Sequence, residues 1–218
     1  MAVRCPTHQT SSALPLSLTS GSAADWDARY QSKDAVWALT PNEFVVQELG
    51  ELKPSAVVDL AGGEGRHALW FASKGIPAEN VEFSSVALEK FQARAQEQGL
   101  EHLTVANHAD ARSARFQLSP ELVIVCYLQL SWADLETSLD NALQQLASGE
   151  LFGVWHSLRN LTEGFGGPQN PTHLPTPGQL GDWLSARALD GKVWEEERKV
   201  LVDGKEYRAI DVLLRVKV

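Results

Sequence analysis

The stretch Val57 to Ala68, VVDLAGGEGRHA, constrains the fold most, because an apolar run stops at an acid and opens into a glycine-rich turn. Val57, Val58 and Leu60 suit a strand that is buried on both faces, as parallel strands in α/β proteins usually are. Glycines let the backbone turn sharply and let a ligand approach it. A helix that begins near Arg66 points its N-terminal amides at that ligand. The stretch therefore predicts a strand, a tight loop and a helix.

Two classes of ligand fit this turn. Gly63, Gly65 and Ala68 satisfy the dinucleotide pattern G-x-G-x-x-G/A. Residues 59 to 65 resemble the first motif of class I S-adenosylmethionine-dependent methyltransferases, typically E/D-x-G-x-G-x-G, with Ala61 in place of the first glycine. A connection between strand and helix that binds no ligand is the third interpretation.

The composition bounds the class of protein. A chain of 218 residues with 44% apolar and 22% charged residues is long enough for one α/β domain with a full core. A net charge of -9 disfavours nucleic-acid and membrane partners. The only cysteines, Cys5 and Cys126, indicate neither a disulfide framework nor a cysteine-rich zinc site, so we expect no metal and a cytoplasmic location.

The N-terminal part divides into a leader and an aromatic segment. Residues 1–24 are rich in Ser and Thr and predict a disordered leader, with a transit peptide left open, followed by a single domain over 25–218. Residues 25–49 bring Trp26, Tyr30 and Trp37 close together in sequence. Such aromatics either pin a helix to the sheet edge or form a lid over a ligand.

The lid is favoured by a resemblance. WDARY, the later Trp37 and the Pro41-Asn42 pair look like the segment before the cofactor motif in a bacterial group related to tellurite-resistance and thiopurine methyltransferases. In that group the segment covers the cofactor and shapes the substrate pocket. Departures from the group are Gly62 where Cys is common, His67 where Asn is common and Glu82 in place of the more frequent Asp.

Two acids follow predicted strands after the turn. Glu82 lies near the end of a candidate strand over 78–83, and its interval from Gly63 is close to that of an acid that binds ribose hydroxyls. Asp110 ends a third candidate strand over 103–109, and the resemblance implies that Asp110 and Ala111 lie beside adenine. The alternatives are a solvated acid at a strand end and a turn cap.

The later strands supply the candidate acceptor side. Residues 122–127, LVIVCY, predict a central strand whose carboxyl end, at Cys126 and Tyr127, opens into the ligand crevice. A fifth strand over 151–156 ends at His156, which either takes a proton from a substrate or is merely hydrogen-bonded. Arg66 either orients an acidic substrate or is solvated.

The remaining patterns complete the expected architecture. We expect helices over 66–75, 84–98 and 132–147, a binding loop over 160–175, and a helix that starts with the T-x-x-Q box at Thr176. Asp203-Gly204 between two alternating runs predicts a terminal β-hairpin. The resemblance implies an α/β fold, a Rossmann-like three-layer α/β/α sandwich with a mostly parallel seven-stranded sheet and an antiparallel C-terminal hairpin.

The predicted function is methyl transfer from S-adenosylmethionine to an O, N or S atom of a small molecule, by a monomer or homodimer. The residues expected to contact the cofactor are Tyr30, Trp37, Asp59, Ala61, Gly62, Gly63, Gly65, Glu82, Phe83, Asp110, Ala111 and Cys126. Those expected on the acceptor side are Trp37, Asn42, Arg66, Tyr127 and His156, with His156 also the candidate catalytic residue. The alternatives are an NAD-dependent oxidoreductase with a Rossmann fold, although no Tyr-x-x-x-Lys pair is present, and a non-catalytic cofactor-binding module.

Overall fold

A computed structural model describes residues 21–218. The predicted leader lies outside the described residues except for its last four. The first helix begins at Ala23, two residues before the expected domain boundary. Ser22 fixes this start, because its side chain accepts from the Asp25 amide while the Asp25 carboxylate accepts from the Ser22 amide at 2.8 Å.

Helices and strands alternate along most of the chain. The helices are α1 (Ala23–Gln31), α2 (Glu43–Leu49), α3 (Arg66–Ser73), α4 (Ser85–Glu97), α5 (Trp132–Leu143), α6 (Asn160–Glu163) and α7 (Pro177–Ala186). The strands are β1 (Val57–Leu60), β2 (Ala78–Glu82), β3 (Thr104–His108), β4 (Leu122–Cys126), β5 (Glu150–His156), β6 (Asp190–Val202) and β7 (Lys205–Lys217). Strand, glycine turn and helix occur where the first motif predicts them.

The seven strands form one sheet in the order β3-β2-β1-β4-β5-β7-β6. The first five strands are parallel, while β7 runs antiparallel to both β5 and β6. The predicted α/β architecture, a mostly parallel sheet with an antiparallel terminal hairpin, is confirmed. The strand order reverses between β1 and β4, and open α/β sheets bind ligands at the carboxyl ends of the strands flanking such a point.

Two apolar clusters cover the two faces of the sheet. Val58 and Leu60 belong to one cluster and Val57 to the other, so successive residues of β1 face opposite layers of helices. All four residues of β1 are buried. One of the four is Asp59, whose carboxylate the core alone does not explain.

The predicted binding loop over 160–175 includes two short helical elements. These are α6 and a 3₁₀ turn over Pro171–His173. The buried Asn160 stabilises α6, because its side chain accepts from the Ile210 amide at 2.8 Å and donates to the Gly166 carbonyl at 2.9 Å. Across residues 21–218, we find no helix that combines the length and the apolar character needed to cross a bilayer.

Candidate active site

The glycine turn after β1 holds several residues in the left-handed region. Ala61, Gly63 and Gly65 have φ of 56°, 59° and 73°. A Cβ on Gly62 would lie 2.3 Å from the Asn80 Oδ1 atom, so this position has no room for a side chain. Ala61 is the residue that departs from the glycine motif, and its left-handed backbone costs about 1 kcal/mol.

Beneath the turn lies a buried carboxylate without a cationic partner. Asp59 is fully buried. Among the described residues, its one contact at ion-pair distance is with His67, whose Nδ1 atom lies 3.4 Å from the carboxylate. Burial lowers the pKa of His67 more than Asp59 raises it, so this imidazole is neutral. The Asp59 Oδ2 and Asn80 Oδ1 atoms accept no hydrogen bond from the described residues. Buried acceptors that lack a hydrogen-bond donor are suited to bind a donor group of a ligand.

Glu82, the last residue of β2, is tied directly to the turn. Its Oε2 atom accepts from the Gly63 amide at 3.0 Å, and its Oε1 atom accepts from the Phe83 and Ser84 amides at 3.0 and 2.9 Å. Burial raises the pKa of Glu82 to about 7, although these three amides oppose the shift. The structure thus brings together Asp59, Gly63 and Glu82.

The aromatic segment lies on the outer side of the same turn. Trp37 Nε1 donates to the Tyr30 hydroxyl at 3.1 Å. A Cβ on Gly63 would lie 2.7 Å from the Tyr30 oxygen and 3.6 Å from the Trp37 ring. The Arg29 guanidinium lies 4.8 Å from the ring centroid of Trp26. This placement supports the lid interpretation, because the aromatics contact the turn itself.

Glu64, which sequence reasoning missed, attaches the lid. Its buried carboxylate accepts from the Val36 amide at 2.9 Å and the Trp37 amide at 3.4 Å. The same carboxylate pairs with Arg94 at 3.1 Å and Lys90 at 3.6 Å on α4. The sequence feature that could have indicated this role is a carboxylate between two glycines of a tight turn. A large charged side chain at such a position is expected to have bonding partners.

The residues predicted to lie beside adenine form hydrogen bonds with other groups of the protein. The Asp110 carboxylate is one-third exposed and bonds Arg112, whose hydrogen bonds lower the pKa of Asp110. It also accepts from the Arg112 amide at 2.9 Å, which is the turn cap that the sequence left as an alternative. The Ala111 carbonyl accepts from Asn141, and the Phe83 carbonyl accepts from His108 at 2.9 Å. An adenine contact at Asp110 stays a prediction.

Three of the five predicted acceptor residues, Asn42, Tyr127 and His156, meet beyond β4. The Tyr127 hydroxyl accepts from Asn42 Nδ2 at 2.9 Å and donates to the Asp211 carboxylate at 2.8 Å. Its ring centroid lies 4.9 Å from that of His156. Tyr127 has a φ of 58°, and a strained non-glycine residue at a strand end is typical of functional sites. Asp211 and Arg198, both missed from the sequence, complete this cluster.

Cys126 and Arg66 stay outside these hydrogen-bonded clusters. Burial raises the pKa of the Cys126 thiol, which keeps it protonated at neutral pH. No carboxylate in the described part of the chain lies within ion-pair distance of the Arg66 guanidinium. Arg66 is half-buried at the start of α3 and carries a charge that an acidic ligand would neutralise.

Residues 57–149, from β1 to the segment before β5, match the sequence profile of a family described as "Methyltransferase domain". This part of the chain, which is less than half of its length, is similar to a methyltransferase domain. No curated protein sequence matches the chain. The match begins at the strand that opens the glycine turn and includes Glu82, Asp110 and Cys126.

Solved structures similar to this chain show the same fold. One, reported under "Conversion of a Disulfide Bond into a Thioacetal Group during Echinomycin Biosynthesis", is 18% identical with a TM-score of 0.70, and the alignment covers 89% of this chain and 91% of that one. TehB from Haemophilus influenzae is 13% identical with a TM-score of 0.65, covering 81% of this chain and 62% of that one. An S-adenosylmethionine-dependent methyltransferase from Clostridium acetobutylicum ATCC 824 is 14% identical with a TM-score of 0.62, covering 81% and 89%.

The family match and the fold are those that the first motif predicts, and the similar structure from Clostridium acetobutylicum is described as an S-adenosylmethionine-dependent methyltransferase. S-adenosylmethionine is the cofactor that this relationship implies. The residues at the turn fit it, because a sulfonium is a cation and the turn offers the buried carboxylates of Asp59 and Glu82. The methyl acceptor is a separate question, which depends on the cluster beyond β4.

Proposed function

We propose that this protein transfers the methyl group of S-adenosylmethionine to an O, N or S atom of a small molecule. The observation that carries the proposal is the charge at the glycine turn. Asp59 and Glu82 are both buried there, and in residues 21–218 no Lys or Arg forms an ion pair with either. A cationic ligand is favoured at such a site by simple electrostatics.

The same geometry disfavours the oxidoreductase alternative. A pyrophosphate bound at a glycine turn needs backbone amides as donors. The Gly63 amide already donates to the Glu82 carboxylate, which would also repel the phosphate charge. An anionic dinucleotide therefore has to break a charge-assisted hydrogen bond before it binds.

Each part of the cofactor has residues suited to hold it. Glu82 would accept from the ribose hydroxyls, and Asp110 with Ala111 would lie near adenine. Tyr30 and Trp37 would cover the methionine end, which requires the lid to lift from Gly63 when the ligand enters. When bound, S-adenosylmethionine supplies an electrophilic methyl group on a sulfonium. The protein's own task is then to orient the acceptor and exclude water.

The acceptor would lie against the cluster beyond β4. Asn42, Tyr127 and His156 present polar atoms there, and Trp37 closes the site from the lid. Arg66 would orient an acidic group of the acceptor, since no described carboxylate neutralises it. A net charge of -9 favours a small molecule over nucleic acid. The cytoplasmic location and the monomeric or homodimeric state stay predictions.

Ligand binding tests the cofactor directly. We expect calorimetry to show that S-adenosylhomocysteine binds to the purified protein and that NAD does not. Binding of NAD without S-adenosylhomocysteine would support the oxidoreductase instead. Binding of S-adenosylhomocysteine, with no methyl transfer to phenol, amine or thiol acceptors, would favour the non-catalytic module.

Cofactor affinity is expected to depend on pH through Glu82. The ribose hydroxyls donate, so they bind the ionised carboxylate, whereas the pKa of Glu82 is about 7 before ligand binds. Below that pH, binding has to release a proton, so the dissociation constant of S-adenosylhomocysteine should rise roughly tenfold between pH 8 and pH 6. Calorimetry in buffers of different ionisation enthalpy checks this. A flat profile, with no proton released, would contradict it.

A further inference from the structure

We propose that His156 and Asp211 form a general-base dyad, so that the methyl acceptor is a group that loses a proton during transfer. Hydroxyls and thiols that are un-ionised at neutral pH belong to this class. The inference rests on the proposed methyl transfer and adds the chemical class of the acceptor. It begins from a cross-strand pair, because His156 on β5 and Asp211 on β7 are register partners in the sheet.

The imidazole lies beside a buried carboxylate. His156 Nδ1 lies 3.1 Å from Asp211 Oδ1, which is ion-pair distance, and neither atom has a hydrogen-bond partner among the described residues. Asp211 is fully buried, and its other oxygen accepts from the Tyr127 hydroxyl at 2.8 Å and from Arg198 Nε at 2.6 Å. Two donors from different strands or strand ends therefore hold the carboxylate, and its second oxygen faces one nitrogen of the ring.

The protonation state follows from these partners. Burial raises the pKa of Asp211, but the neighbouring His156 and the charge and hydrogen bond of Arg198 outweigh it and hold the pKa below its usual value. An ionised carboxylate only accepts, so the proton of neutral His156 lies on Nδ1. The lone pair is then on Nε2, which is the atom a general base uses.

The second ring nitrogen is left for a ligand. The buried nitrogen of the ring is Nδ1, and the side chain keeps 12% of its surface exposed. Gly167 packs against the ring so closely that a Cβ there would lie 2.8 Å from its carbon atoms. The ring is thus held in place by Asp211, Gly167 and the neighbouring ring of Tyr127.

The step balances without any further reactant. The acceptor's lone pair forms the new bond to the methyl carbon while the methyl–sulfur bond breaks and leaves its electron pair on sulfur. The acceptor's proton moves to His156 Nε2, and the resulting imidazolium is stabilised by Asp211 at 3.1 Å. An acceptor that is already an anion has no proton to give and gains nothing from the dyad.

The other groups around the ring do not titrate near neutral pH. Burial raises the pKa of Tyr127 well above its usual value, and burial also raises the pKa of Cys126. Arg198 carries its charge throughout, and Asp211 is ionised.

Nitrogen-15 NMR of the histidine rings tests the dyad without any acceptor. Assignment uses His156→Gln, and His102→Gln, at an exposed histidine, is the matched control. We expect neutral His156 to carry its proton on Nδ1, and the fraction of rings with the proton on Nε2 to rise in Asp211→Asn, where the carboxylate that faces Nδ1 is gone. A proton on Nε2 in the unmutated protein would overturn the inference.

Two acceptor probes then test the chemical class. For methylation of catechol, kcat in His156→Gln should fall by roughly 10²- to 10⁴-fold. For an aromatic thiol that is already ionised at the assay pH, kcat should change little, and His102→Gln should change neither. Equal losses for both probes would mean that His156 only positions the acceptor, which overturns the inference.

Failure of the inference is distinguishable from failure of the proposed function. His156→Gln should bind S-adenosylhomocysteine as tightly as the unmutated protein, because His156 contacts neither the glycine turn nor Glu82. Absence of binding in the unmutated protein would instead refute the proposed cofactor. If neither probe is methylated, the ring tautomer and its response to Asp211→Asn decide the inference.

Discussion

Replacing Gly65 with alanine is expected to lower the free energy of unfolding by about 3 kcal/mol, from two separable causes. Gly65 has a φ of 73°, where a side chain costs about 1–2 kcal/mol. The new Cβ would also lie 2.2 Å from the buried ring of Phe91 on α4, and overpacking of this kind costs typically 1–3 kcal/mol. Denaturant unfolding followed by circular dichroism measures the loss.

Gly75→Ala separates the two causes. Gly75 has a φ of 80°, but nothing lies within 4 Å of the Cβ that alanine would add. This variant should lose only the backbone contribution, about 1 kcal/mol. Trimming Phe91 to leucine should recover part of the loss in Gly65→Ala and none of the loss in Gly75→Ala. Equal losses for the two glycines would show that the packing against Phe91 is unimportant.

The sequence predicts the elements whose signals are local. β4 is a continuous apolar run and β1 is apolar except for Asp59, as strands buried on both faces favour, and α7 begins at the Thr176 box with both capping hydrogen bonds formed. The Asp203-Gly204 turn places both residues at positive φ, as a two-residue hairpin turn needs. By contrast, α6 depends on a contact between Asn160 and Ile210, which are 50 residues apart. No local pattern encodes that partner.

The residues of the candidate site also divide into those that a local motif predicts and those that it does not. Asp59, Gly63 and Glu82 follow a motif with fixed spacing, and the parallel pairing of β1 with β2 brings them together. Asp211 escapes notice because a polar residue in an alternating strand normally faces solvent. It is buried because β7 inserts between β5 and β6, which places His156 opposite it and Arg198 within reach on β6. Strand order, which the hairpin pattern does not specify, decides this.

Two buried carboxylates on β2 allow the cofactor site to be tested with a matched control. Glu82 faces the glycine turn, whereas the Glu79 carboxylate accepts from the Gln117 and Leu118 amides, each at 2.8 Å, and from Asn107 at 2.6 Å. Both side chains are buried and each is bonded by three donors. They differ in whether a ligand at the turn would meet them.

Glu82→Gln is expected to weaken binding of S-adenosylhomocysteine roughly 10- to 100-fold, because hydrogen bonds to a charged group contribute about 1.5–3 kcal/mol. It should also remove the pH dependence of that affinity between pH 6 and pH 8. Glu79→Gln should lower the free energy of unfolding yet leave the dissociation constant within roughly twofold, since its partners lie away from the turn. Calorimetry on variants shown to be folded measures both. Equal loss of affinity in the two variants would mean that any disturbance of β2 weakens binding. It would contradict the proposal that Glu82 contacts the cofactor.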